Sequence, residues 1–229
     1  MSKNNEMYSF AEENYLKTIL KLNLAGTQVI STNVLAEAMQ TKASSVTDML
    51  KKLALKKLLK YEPYKGCVLT NAGKTVAAGT LRKHRLWETF LVNTLSFSWD
   101  EVHDIAEQLE HIKSDKLIHQ LDSFLGFPTH DPHGDPIPQM DGRITQSNFF
   151  TLVQSKPKQE LIVCGVLNHS SEFLKYLSNY GIKIGSKLSV IQINAFDRSI
   201  ELMLDTQKQL CLSNEVVKNI LVQFEKSIR

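Results

Sequence analysis

Apolar residues ahead of residue 127 recur every three or four positions, the spacing that places them on one face of a helix. The pattern predicts a first helix whose buried face carries Tyr15, Leu16, Ile19, Leu20 and Leu22. It predicts two further helices, built on Val34, Leu35, Ala38 and Met39, and on Val46, Met49, Leu50 and Leu53. We therefore expect this part of the chain to be mainly helical.

Proline marks the main boundary, since four of the six prolines fall between Phe127 and Pro138. Proline blocks helix interiors and central strands, so this stretch is predicted to be a linker. The later segments are short and β-branched, which predicts strands at Phe149–Val153, Leu161–Leu167, Leu188–Ile193 and Ser199–Leu204. A helix from about Ser171 to Tyr180, ending at Gly181, interrupts them. The expected C-terminal unit is a small β-barrel-like domain.

The second and third helices have the layout of a helix-turn-helix. The second is expected near Thr32–Met39 after the cap Ser31, and the third from about Ser44 to Lys57, with a tight turn at Gln40–Ala43. In this motif the later helix enters the major groove, where small polar residues contact base edges and lysines contact phosphates. The candidate DNA contacts on its exposed face are Ser44, Ser45, Thr47, Lys51 and Lys52.

A β-hairpin is predicted directly afterwards, because Leu58–Tyr61 and Cys67–Thr70 flank a turn that contains Tyr64 and Lys65. Such a hairpin is the wing of a winged helix. From Lys42 to Lys65 there are seven lysines and two acidic residues, so this segment is +5 in a chain of net charge +3. The concentration of positive charge favours a DNA-binding surface that includes Lys42, Tyr64 and Lys65. A solvated lysine-rich helix pair without a DNA partner is the alternative.

Histidine and glutamate recur at helical spacing in the next segment. His84 and Glu88 are four residues apart, and the stretch from Trp99 to Lys116 carries His103, Glu107, Glu110 and His111. On a helix those four would share one face, which is costly to bury unless they are paired or bind a metal. Imidazole with carboxylate suits Mn²⁺, Fe²⁺, Zn²⁺ or Co²⁺. An exposed polar face, or one paired with Lys113 and Lys116, is the alternative.

The segment His130–Asp135 also resembles a ligand loop, but Asp-Pro and Gly-Asp-Pro favour turns, so we interpret it first as a structural turn and only second as a metal site. The cysteines Cys67, Cys164 and Cys211 are too far apart in sequence for a thiolate zinc motif. The sequence contains neither an apolar run long enough to cross a bilayer nor a signal peptide, so the expected location is the cytoplasm, without a membrane partner. Catalytic motifs of the common hydrolase and nucleotide-binding types are absent, so we expect a non-enzyme.

Several stretches together resemble the diphtheria-toxin-repressor family of iron- and manganese-dependent repressors. They are Glu13–Leu22, Ser44–Leu53, Tyr64–Lys74, Arg82–Leu91, Val102–Asp115 and Gly134–Pro138, in the order that the family has. The resemblance implies a winged helix over residues 1–71, a helical metal-binding and dimerisation domain over 72–126 and a linker over 127–143. It also implies an SH3-like domain, similar to the ferrous-transport-A type, over 144–229, and a homodimer on an operator in double-stranded DNA.

The resemblance further implies two metal sites. The primary site would use Asn14, Glu107, Glu110 and His111. The ancillary site would use His84, Glu88 and His103, with His169 and Glu172 as candidate ligands from the C-terminal domain. A metal at the primary site would then join the first helix to the dimer core and fix the winged helix for DNA binding.

Three departures from the family pattern bear on the metal. Glu107 stands where iron-type members carry cysteine and manganese-type members glutamate, and Asn14 replaces a methionine or an aspartate. Lys17 occupies a position where the manganese type carries a second glutamate. Oxygen ligands favour Mn²⁺, whereas the ancillary trio follows the iron type, so Fe²⁺ remains the alternative and Zn²⁺ or Co²⁺ could substitute in vitro.

The expected function is a metal-dependent repressor of metal-uptake genes. The alternatives are a winged-helix regulator that does not respond to metal, a metal-dependent hydrolase that uses His84, Glu88, His103 and His111, and a ferrous-transport accessory protein. The last would leave the lysine-rich winged helix unexplained.

Overall fold

The computed structural model describes residues 8–145 and 147–225. They form two compact units, and each is considered by itself. Of the described residues, the first unit comprises 8–85, 107–120 and 138–144, and the second comprises 86–106, 121–137, 145 and 147–225. The boundary at residue 85 falls within one long helix, α4 (Asn71–Leu95).

The first unit begins with three short helices, α1 (Phe10–Leu24), α2 (Thr32–Ala38) and α3 (Ala43–Leu55). Ser9 starts α1 through a capping box with Glu12, and the Ser31 side chain caps α2, as expected from its sequence position. The apolar faces meet in one core that includes the fully buried Leu16, Ile19, Leu35, Leu50 and Leu53.

The predicted wing is an antiparallel hairpin of β1 (Leu59–Glu62) and β2 (Gly66–Leu69), with Leu59 opposite Leu69 and Glu62 opposite Gly66. Its tip residue Tyr64 has a left-handed backbone, with φ of 66°. The helix-turn-helix and wing that the sequence predicted are therefore present.

The predicted continuous helical face from His103 to His111 is wrong. α5 (Val102–Leu109) ends before Glu110 and His111, which lie in a turn, and α6 (Asp115–Phe124) follows. Ser114 accepts a hydrogen bond at 3.3 Å from the backbone nitrogen of Leu117, so a new helix starts where a single helix would have continued.

The second unit contains one antiparallel sheet of six strands in the order β3-β8-β4-β5-β6-β7. The strands are β3 (Phe150–Thr151), β4 (Glu160–Val166), β5 (Lys187–Ile193), β6 (Ile200–Leu204), β7 (Lys208–Leu212) and β8 (Ile220–Phe224). A 3₁₀ turn (Leu152–Gln154) follows β3, α7 (Ser171–Tyr180) lies between β4 and β5, and α8 (Asn214–Val217) precedes β8. Gly181 ends α7 in the left-handed conformation, as predicted.

The predicted fold class, helical domains followed by an SH3-like domain, is confirmed with one difference. The sheet is open, because β3 and β7 stand at opposite ends of its strand order, so it is not a closed barrel. The sequence pattern also missed β7 and β8. Among the helices that the structure describes, none combines the length and apolar character needed to span a bilayer.

Candidate functional site

The start of α3 offers a polar surface to solvent. Lys42, Ser44, Ser45 and Lys51 are exposed there. Thr47 is half-buried, and its hydroxyl donates to the carbonyl oxygen of Ala43 at 2.9 Å. The Thr47 hydroxyl is thus already used within the helix, whereas the serines and lysines are accessible to a ligand.

Lys52 is partly neutralised by an acidic residue of α1. Its Nζ lies 3.2 Å from Oε1 of the buried Glu12, and Nζ of Lys56 lies 2.8 Å from the same oxygen. Burial alone would raise the pKa of Glu12, but hydrogen bonds from Lys56, the Ser9 backbone and Lys52 lower it to about 2. Of the two predicted lysine contacts on α3, Lys51 therefore carries the less compensated charge.

The tip of the wing carries an exposed tyrosine ring and an exposed lysine that pairs with a glutamate. Tyr64 is fully exposed, and the exposed Lys65 lies 2.8 Å from the carboxylate of Glu62. Both predicted wing contacts are accessible, although the Lys65–Glu62 pair reduces the local positive charge.

The first candidate metal centre, here called the lysine-paired cluster, consists of Lys17, His84, Glu107 and Glu110. The ligand atoms of His84, Glu107 and Glu110 lie within 4.8 Å of one another. Nδ1 of His84 lies 2.7 Å from Oε2 of Glu110 and 4.0 Å from Oε1 of Glu107. Nζ of Lys17 lies between these carboxylates, at 2.6 Å from Oε1 of Glu107 and 2.7 Å from Oε1 of Glu110. An amine thus occupies the position that ligand spacing alone would give to a metal.

Two other predicted primary ligands, His111 and Asn14, belong to the same unit, and His111 contacts Glu110 of the cluster. Nδ1 of His111 lies 2.6 Å from Oε2 of Glu13, its Nε2 lies 3.6 Å from Oε1 of Glu110, and its ring stacks on Phe10. Oδ1 of Asn14 is buried and has no hydrogen-bond partner among the described residues. A buried oxygen without a hydrogen-bond donor is suited to bind a cation. The role of Asn14 as a metal ligand stays a prediction.

The second candidate metal centre, here called the Glu88 cluster, consists of Glu88, Asp131 and His133. All three residues are buried, and their ligand atoms lie within 4.8 Å of one another. Nδ1 of His133 lies 3.8 Å from Oε2 of Glu88 and 3.9 Å from Oδ1 of Asp131. One imidazole nitrogen and two carboxylates form a donor set that fits Mn²⁺, Fe²⁺ or Zn²⁺.

The tautomer of His133 is fixed by its second nitrogen. Nε2 lies 2.8 Å from the carbonyl oxygen of Trp99, so it donates its proton there and Nδ1 faces the carboxylates. Burial favours the neutral ring, but contacts with Glu88, Asp131 and the Trp99 carbonyl outweigh it and raise the pKa of His133 to about 9. A proton therefore occupies Nδ1 at neutral pH when no metal is bound.

The turn that carries Asp131 and His133 is stabilised by hydrogen bonds from its own backbone to the Asp131 side chain. Asp131 accepts hydrogen bonds from the backbone nitrogens of His133 and Asp135, at 2.8 and 3.0 Å. Gly134 has φ of 87°, and a Cβ there would lie 2.1 Å from the carbonyl oxygen of Cys164. The segment is a turn, as predicted, and it also brings two ligand-type side chains to Glu88, which agrees with the metal-site alternative ranked second from the sequence.

Three predicted ancillary ligands lie in the second unit with the Glu88 cluster. Nδ1 of the half-exposed His103 lies 3.3 Å from Oε1 of Glu88. The His169 ring stacks on His133 with 5.0 Å between centroids, and His169 Nε2 lies 3.2 Å from the Val166 carbonyl oxygen. Glu172 is exposed in the first turn of α7. His103 and His169 thus lie beside the cluster, while the role of Glu172 stays a prediction.

Family models match nearly the whole chain in three consecutive pieces. Residues 7–67 match the iron dependent repressor N-terminal DNA binding domain. Residues 70–139 match the iron dependent repressor metal binding and dimerisation domain, and residues 150–224 match the FeoA domain.

Individual relatives agree with these models. The chain is 32% identical over 126 residues to the iron-dependent repressor IdeR of Mycobacterium leprae, covering 55% of this chain and 54% of that protein. It thus spans about half the length of that curated relative. A solved manganese-dependent transcriptional repressor in complex with manganese has 34% identity and a TM-score of 0.85, over 93% of this chain and 100% of the other. The manganese regulator SloR has 34% identity and a TM-score of 0.72, over 93% and 98%.

Proposed function

This chain belongs to the iron-dependent repressor family, and on that premise we propose that it represses transcription by binding operator DNA when a divalent metal is bound. The proposed DNA surface is the start of α3 together with the wing. Ser44 and Ser45 contact base edges, and Lys42, Lys51 and Lys65 contact phosphates. The exposed ring of Tyr64 supplies a further wing contact.

The metal centre that we favour is the Glu88 cluster. The observation that carries this choice is the His133 ring, whose Nε2 is held by the Trp99 carbonyl so that Nδ1 faces two buried carboxylates. Metal-bound histidines usually have their other nitrogen fixed in this way. Glu88, Asp131 and His133 would hold the ion, with His103 as a fourth ligand. The bound ion would supply positive charge that neutralises the two carboxylates.

The proposed physiological metal is Mn²⁺, with Fe²⁺ as the alternative. The favoured ligands are oxygen and imidazole nitrogen, without a thiolate, which suits manganese and ferrous iron. Affinity in such sites generally rises from Mn²⁺ to Fe²⁺ and Co²⁺, with Zn²⁺ also above Mn²⁺, so Zn²⁺ and Co²⁺ are expected to bind in vitro. The proposal includes no catalytic step.

The proposed assembly is a homodimer. Its support is the match of residues 70–139 to a dimerisation domain, together with exposed large apolar residues in the same stretch. Leu95, Phe124 and Phe127 are 52%, 66% and 59% exposed. Exposed large apolar side chains of this kind are available for a protein–protein contact. Two recognition helices would then contact successive major grooves of one operator.

The test is the affinity of the chain for DNA upstream of metal-transport genes, measured by fluorescence anisotropy at fixed salt. Chelator is compared with Mn²⁺, with anaerobic Fe²⁺ and with Zn²⁺. The proposal predicts at least tenfold tighter binding with metal, about 1.4 kcal/mol of coupling. Equal affinity in chelator and in every metal would contradict it and favour a winged-helix regulator that does not respond to metal.

A further inference from the structure

Lys17 is a buried lysine whose ammonium lies inside a set of metal-type ligands. Its side chain is 4% exposed, and Nζ lies 2.6 Å from Oε1 of Glu107 and 2.7 Å from both carboxylate oxygens of Glu110. An ammonium group has three N–H donors, and these three oxygens account for all of them. A buried amine is costly unless it is paired in this way.

The same oxygens are those that a metal at this cluster would need. His84 completes the set, with Nδ1 at 2.7 Å from Oε2 of Glu110. A divalent ion sits roughly 2.0–2.2 Å from carboxylate oxygens, so it would require the volume that Nζ occupies. Two cations so close together would repel each other strongly. His84, Glu107 and Glu110 therefore do not fit a metal while Lys17 stays in place.

We propose that the Lys17 ammonium is the resident cation of the lysine-paired cluster and excludes a divalent metal from it. The amine does structurally what a bound ion would do, since it joins α1 to the segment that carries Glu107 and Glu110. This link persists whether or not metal is present. Any metal that controls DNA binding is then held by ligands outside the cluster. The inference rests on the proposed function only in assuming that the chain binds a divalent metal elsewhere.

The first test counts metal ions per chain by native mass spectrometry of the full-length protein equilibrated with Mn²⁺. Lys17→Glu removes the amine and adds a carboxylate, and it is expected to bind one more Mn²⁺ per chain than the wild type. The matched control is Lys21→Glu, which makes the same charge change one turn later on α1. This control is expected to bind the same number of ions as the wild type.

A second variant covers the case in which three clustered carboxylates prevent Lys17→Glu from folding. Lys17→Met leaves the buried carboxylates without a cation, so its melting temperature in chelator is expected to fall by about 10 °C. Mn²⁺ is expected to restore most of this loss. Adding Glu107→Gln to Lys17→Met should abolish the rescue, because one of the ligands is then gone.

Equal Mn²⁺ counts in the wild type and in both Lys17 variants would overturn the inference. So would loss of a wild-type metal ion on Glu107→Gln alone, since the metal would then displace the amine. The proposed function fails in a different way, through DNA affinity of the wild type that does not change with metal. The additional Mn²⁺ in the Lys17 variants would remain under that outcome.

Discussion

Nε2 of His133 donates a hydrogen bond to the carbonyl oxygen of Trp99 at 2.8 Å, and this contact orients the ring toward Glu88 and Asp131. The contact fixes which nitrogen can bind a metal. Since the carbonyl accepts the Nε2 proton, Nδ1 is the atom that remains for the ion.

Replacing His133 should remove the imidazole that faces both Glu88 and Asp131 in the proposed metal centre. We expect His133→Ala to weaken Mn²⁺ binding at this centre by about 10-fold to 100-fold. Loss of the hydrogen-bond partner of a metal ligand already has an effect of this size. Isothermal titration calorimetry measures the change. His119→Ala is the matched control, because His119 is exposed on α6, and it should bind Mn²⁺ like the wild type.

Metal binding at this centre should tighten with rising pH. The pKa of His133 is about 9, so a proton occupies Nδ1 at neutral pH and must leave when the ion binds. The apparent Mn²⁺ affinity should therefore increase by about tenfold per pH unit between about pH 7 and pH 8.5, and level off above the pKa. Calorimetry in two buffers of different ionisation enthalpy should detect about one released proton per ion. A pH-independent affinity would show that His133 is not a ligand.

Lys51 and Lys52 should differ in their contribution to DNA binding. Lys51→Ala is expected to weaken binding to every sequence and to reduce the slope of log affinity against log salt by about one, as a lost phosphate contact does. Lys52→Ala should have a smaller effect, because Glu12 already offsets part of the Lys52 charge. Anisotropy over a series of salt concentrations distinguishes them. Equal slopes for the two variants would contradict this assignment.

Glu12 should stabilise the first unit in a pH-dependent way. Its pKa is about 2 in the folded chain against an ordinary value of 4.5, so the stabilisation is complete above about pH 4.5 and is lost as pH falls toward 2. We expect Glu12→Gln to cost about 1–2 kcal/mol at pH 7, after allowing for solvent screening at the partly exposed lysines. Urea unfolding measures the cost. The difference from the wild type should shrink below about pH 4.5.

The helical half could be predicted from the sequence because its signals are local. Periodic apolar residues and the cap Ser31 locate α2 and α3 within one or two residues of their positions in the structure. The strands β7 and β8 were missed, since each is short and β8 is held by partners distant in sequence, β3 and β4. Such pairing leaves little local trace.

The Glu88 cluster shows why ligand grouping was harder to predict. Glu88 and His133 are far apart in sequence. The turn that carries His133 depends on Gly134, which packs closely against the carbonyl oxygen of Cys164. Spacing along a helix carries no information about that contact. The ion pair of Lys17 is similar: the sequence showed a lysine at an unusual position, but only the structure shows its amine among the carboxylates.

Control of DNA binding by metal at the Glu88 cluster is measured by operator affinity of the wild type and of Glu88→Gln, each in chelator and in Mn²⁺. Circular dichroism first establishes that the variant is folded. We expect Mn²⁺ to tighten DNA binding at least tenfold in the wild type and less than twofold in the variant, with similar affinities in chelator. Full tightening by Mn²⁺ in folded Glu88→Gln would contradict control by the Glu88 cluster.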